Sequence, residues 1–72
     1  MDLDEAILLA LANADHKLTT AEVTKARLIV QGEDTDFAHG TAATLTALRR
    51  LHIDGKVVES HNWKHATVWS LP

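Results

Sequence analysis

The sequence predicts an α+β domain in which three helices are followed by a β-hairpin. Two observations carry that expectation. In "LRRLHIDGKVV", residues 48–58, the apolar spacing is helical through Leu48, Leu51 and Ile53 and extended through Val57 and Val58, and the change falls across Asp54-Gly55. Upstream, Thr19-Thr20-Ala21-Glu22 forms a Thr-x-x-Glu capping box, a marker of a helix start that follows an earlier helical stretch. Seventy-two residues have room for one compact core, so residues 1–72 are expected to form a single domain.

The first helix opens where Asp2 and Glu5 are spaced to cap it, and Leu3, Ile7, Leu11 and Ala14 recur at helical spacing along it. It should end between Asn13 and His16. Leu18 then stands alone, where a short strand fits before the capping box. The second helix starts at Thr19–Glu22, carries Val23, Ala26 and Val30 on an apolar edge, and stops at Gln31-Gly32. An acidic loop, "GEDTD" at Gly32–Asp36, follows and should face water.

For the third helix two starts are open, Asp36 or Gly40–Thr41. The earlier one places Phe37, Thr41, Leu45, Leu48 and Leu51 on one stripe but encloses Gly40, at a cost of about 1 kcal/mol. Gly55 suits the left-handed position just after the helix. Residues 56–61 and 65–71 then read as two strands around a polar break at Asn62-Trp63-Lys64. Alternation along the second strand turns Trp69 and Leu71 toward the core.

Composition narrows the function. Hydrophobic residues make up 46% of the chain and charged residues 24%, which suits a folded domain rather than a disordered one. With no cysteine, disulfides and thiolate metal sites are excluded, and a cytoplasmic setting is the expectation. The longest apolar run, Ala6–Ala12, is far below the roughly 20 residues that span a bilayer, and its flank is acidic where a signal peptide would be basic. No membrane association is expected. Residues 1–40 hold three Lys/Arg against eight Asp/Glu, and residues 41–72 four against two, so the halves carry −5 and +2. Such polarity suits a molecule with one face turned to a polyanion.

Two segments, "KLTTAEV" and "TLTALRRLHIDGKVVE", sit within the order helix, helix, helix, hairpin, and the second runs through an L-x-x-x-G-x-V pattern from helix into strand. Over essentially the whole chain this resembles the winged helix-turn-helix domain of bacterial and phage transcriptional regulators. The resemblance implies that the third helix is a recognition helix, that the hairpin is a wing, and that double-stranded DNA is the partner. One departure stands out: "QGEDTDFAHG" is longer and more acidic than the tight turn of a typical helix-turn-helix.

On a helical wheel that takes Leu45, Leu48 and Leu51 as the inner side, Ala43, Thr46, Ala47 and Arg50 lie opposite and Arg49 lies at the flank. Small residues permit close approach to a groove, threonine can meet phosphate or a thymine methyl, and arginine reads guanine or phosphate. The expected nucleic-acid contacts are therefore Thr41, Ala43, Thr46, Ala47, Arg49 and Arg50 on the helix, with Asn62, Trp63 and Lys64 at the wing tip. Arginines near a helix C-terminus also serve the helix dipole, and Asn62 equally suits a turn.

The alternative function is a winged-helix interaction module that binds a protein, such as a polymerase subunit or another regulator in host transcription or replication. Its contacts would come from the acidic first helix, the Gly32–Asp36 loop or Trp63. His61 and His65 would lie opposite each other across a three-residue tip, but two imidazoles fall short of the three or four ligands zinc takes, so no metal or other cofactor is expected. Without a cysteine, a glycine-rich phosphate loop or an evident acid–base pair in a pocket, enzymatic activity is not expected either.

Overall fold

The structure is a computed structural model that describes residues 1–32 and 37–72, with the side chains of residues 37–39 outside the description. The elements run α1 (Leu3–Asn13), β1 (Leu18–Thr19), α2 (Thr20–Gln31), α3 (Phe37–Ile53), β2 (Val58–His61) and β3 (Thr67–Ser70). The fold is α+β, three helices followed by a hairpin, in a winged-helix layout. The lone Leu18 belongs to β1, which completes an antiparallel sheet of order β1-β3-β2. Among the described residues no helix is long and apolar enough to cross a membrane.

Local chemistry sets the helix ends. Asp2 Oδ1 accepts from the Glu5 amide at 2.8 Å and caps α1. At α2 the capping box closes in both directions: the Glu22 amide donates to Thr19 Oγ1 at 3.2 Å, and the Thr19 amide donates to Glu22 Oε1 at 2.9 Å. Gly32 ends α2 with φ 66°, and Gly55 follows α3 with φ 75°, both in the left-handed region that glycine enters without strain. The earlier start of α3 is the one adopted. The "GEDTD" stretch lies outside the described residues except for Gly32, which is exposed.

Ile7 and Leu11 of α1, Leu18 of β1, Val23 of α2, Leu48 and Leu51 of α3, Val57 and Trp69 form the core, with Ala47 among them. Trp69 anchors it. Its indole N–H donates to Thr20 Oγ1 at 2.9 Å, and the His52 ring meets it edge-on at 6.4 Å between centroids.

Three details depart from the sequence reading. On α2 the most deeply buried residues after Val23 are Thr24 and Arg27, while Ala26 and Val30 are only half-buried. Leu71 lies beyond the last paired residue and is exposed instead of sealing the core. The hairpin strands are shorter than expected, and the register sets His61 opposite Thr67 rather than His65.

Gly40 shows why a glycine is tolerated inside α3. A Cβ there would lie 3.2 Å from Thr24 Cγ2, 3.3 Å from Arg27 Nη2 and 3.4 Å from Leu28 Cδ1, so the missing side chain lets α2 and α3 approach. Arg27 fills the seam. Its Nε donates to Thr44 Oγ1 at 3.1 Å, its Nη2 to the Gly40 carbonyl at 2.9 Å and its Nη1 to Gln31 Oε1 at 2.8 Å. Thr44 Oγ1 in turn donates to the Gly40 carbonyl at 2.7 Å. A buried guanidinium is costly unless its donors are matched, and here each of the three nitrogens has an acceptor.

Candidate nucleic-acid interface

The buried face of α3 is Gly40, Thr44, Ala47, Leu48 and Leu51, at successive i, i+4, i+7, i+8 and i+11 positions. Small residues, more than the leucines, set this face, because they are where α2 and the core come closest. It is rotated by roughly 50° from the stripe drawn through Leu45, Leu48 and Leu51, at 100° per residue. Leu45 consequently sits at its edge, half-buried.

That rotation corrects two expectations. Ala47 is 1% exposed and belongs to the core, so it does not face a ligand. The two arginines exchange roles: Arg49 lies on the outward side, and Arg50 turns toward α1, where its Nη2 meets Asp4 Oδ1 at 2.5 Å. Half-exposed ion pairs contribute little stability, but this one partly neutralises a cation that the sequence assigned to DNA.

The outward row is Ala42, Thr46, Arg49 and Ile53, with Ala43 beside it. Thr46 donates its hydroxyl to the Ala42 carbonyl at 3.1 Å, within its own helix, which leaves the methyl and the oxygen lone pairs on the surface. Thr41 is half-buried at the margin. Ala42 and Ile53 were not anticipated, although their spacing, four residues before Thr46 and four after Arg49, was available to find them. Ile53 is 83% exposed at the end of the helix.

In the hairpin tip, the expected residues divide. Asn62 is a turn residue: its Oδ1 accepts from the Lys64 amide at 2.9 Å and the Ala66 amide at 3.1 Å. The Asn62 backbone N–H donates to the Ala66 backbone carbonyl, and the His65 backbone N–H donates to the Asn62 backbone carbonyl. His65 adopts φ 64°, which lengthens the turn to residues 62–66 and accounts for the shifted register. With its acceptor engaged by the backbone, the Asn62 carbonyl oxygen is not offered to a base edge. Trp63, by contrast, is 84% exposed, and Lys64 Nζ stands over its ring at 4.8 Å from the centroid.

The structure thus brings forward Ala43, Thr46 and Arg49 on α3, and Trp63 and Lys64 on the hairpin, as surface groups. Ala47 and the Asn62 acceptor are withdrawn into the fold. No protein-family model matches the chain, and no curated protein matches it either.

Proposed function

We propose that this domain binds double-stranded DNA, with the outward row of α3 against a groove and the hairpin tip against the flanking backbone, as a small transcriptional regulator would. The observation that supports it best is the row itself. Ala42, Ala43 and Thr46 are exposed and small, so a helix can approach a groove floor closely, and Arg49 projects from the same side. Lys64 adds a second cation on the tip.

Two phosphates neutralised by Arg49 and Lys64 would make affinity fall on the order of 10-fold between 50 and 200 mM salt. Titration with a mixed-sequence duplex should show that fall, and Arg49→Ala should weaken binding and flatten its salt dependence. Amide signals of α3 and the hairpin that stay unmoved under saturating duplex at low salt overturn the proposal.

A second reading, a module that binds a protein partner, is favoured by the Arg50–Asp4 pair and by Ile53 at the end of the same row. Both lower the cationic character of the face. Retention of a partner after nuclease treatment, together with no response to duplex, selects this reading.

A further inference from the structure

The tip of the hairpin has a property that groove binding does not require. We infer that Trp63 is a stacking platform for an unpaired DNA base, so that the domain prefers duplex carrying a frayed end or a fork over continuous duplex. This inference rests on the DNA-binding reading above and adds a ligand class to it.

Three observations meet there. First, the indole is held out at 84% exposure on a turn whose backbone is fixed by the four hydrogen bonds centred on Asn62. A ring presented on a fixed backbone loses little freedom when it binds, which favours a contact role over an idle one. Second, Lys64 Nζ lies over one face of the ring, leaving the other face for a base and placing an ammonium within reach of that nucleotide's phosphate. Third, residues 60–72 contain no Asp or Glu, while His61, Lys64 and His65 flank the indole. In an acidic protein of net charge −3, this is a stretch from which negative charge has been withheld.

Each of the four bases has a flat π-face, so a single indole takes any unpaired base without reading its sequence. A paired base inside a duplex is closed to it, because both faces are already stacked on neighbours. Preference for an opened strand follows from that geometry.

The test compares two probes of the same duplex sequence, one closed at both ends by non-nucleotide linkers so that it offers no unpaired base, and one forked with thymidine arms of about ten nucleotides, within the usual site size of single-strand binders. The fork should bind about tenfold more tightly and should quench Trp63 emission, while the buried Trp69 supplies an unresponsive background. Trp63→Ala should remove the advantage of the fork, so that this variant binds the fork no more tightly than it binds the closed duplex, and Trp63→Phe should keep most of the advantage. Equal affinity for both probes with unquenched Trp63 emission overturns the stacking role and leaves groove binding intact. Binding to the fork alone supports stacking and overturns the α3 reading, and binding to neither overturns both.

Discussion

Trp63 and Trp69 are six positions apart on one hairpin and have opposite environments. Trp69 is 1% exposed, hydrogen-bonded to Thr20 and met by the His52 ring, whereas Trp63 is 84% exposed beneath a lysine. The cations divide in a similar way. Arg27 is buried in the α2–α3 seam and Arg50 is held by Asp4, while Arg49 and Lys64 stand on the surface. Residue type alone therefore does not tell a folding role from a contact role; packing on the neighbouring element does.

The largest effect is expected at Trp69. Trp69→Ala should cost about 3–5 kcal/mol, as removal of a large buried aromatic does, and in a domain this small chemical denaturation should show little folded protein remaining. Arg27→Ala comes next, at about 2–3 kcal/mol, through lost packing and buried acceptors stripped of a donor. A measured loss under about 0.5 kcal/mol, the usual range for surface positions, would place Arg27 with the surface cations and break the comparison.

A smaller, pH-dependent effect is expected at the start of α2. The Thr19 amide donates to the Glu22 carboxylate and, with the Thr19 hydroxyl and His16 as lesser causes, holds it below the ordinary glutamate range. Because the folded value is depressed, the stabilisation is present above the unfolded value and is lost as pH falls through the folded one. Thermal unfolding should therefore show a falling acid limb that Glu22→Gln flattens. Smallest of all, Trp63→Ala should change stability by no more than about 0.5 kcal/mol, which is what sets it apart from Trp69.

Much of the fold was legible because it is written in local chemistry. The capping box, Gly32, Gly55 and the change of spacing around Asp54 each act within a few residues of themselves. What was not legible depends on contacts between distant segments. The leucine stripe of α3 misjudged its inner face because Gly40, Thr44 and Ala47, small residues with weak hydrophobic signals, are the ones pressed against α2 and the core. The same error turned Ala47 outward and exchanged Arg49 with Arg50, whose partner Asp4 lies 46 positions away. Arg27 carried no sign of burial, since a helical arginine ordinarily faces water. In the hairpin, a three-residue break was read where Asn62 and the left-handed His65 build a longer turn, and the shift separated His61 from His65.

The sheet order has a consequence for how the protein comes into being. β3 follows both β1 and β2 in the chain yet is the middle strand of the sheet, and Trp69 on it bonds to Thr20, 49 positions earlier. During synthesis the helices can form, but β1 and β2 have no strand to pair with and the core has no tryptophan until Ser70 has left the ribosome. The pairing of the sheet and the burial of Trp69 therefore come in one late step, after the helices are available. A nascent chain arrested before Thr67 should consequently remain sensitive to protease along its length, and become resistant only once β3 is free to enter between the other two.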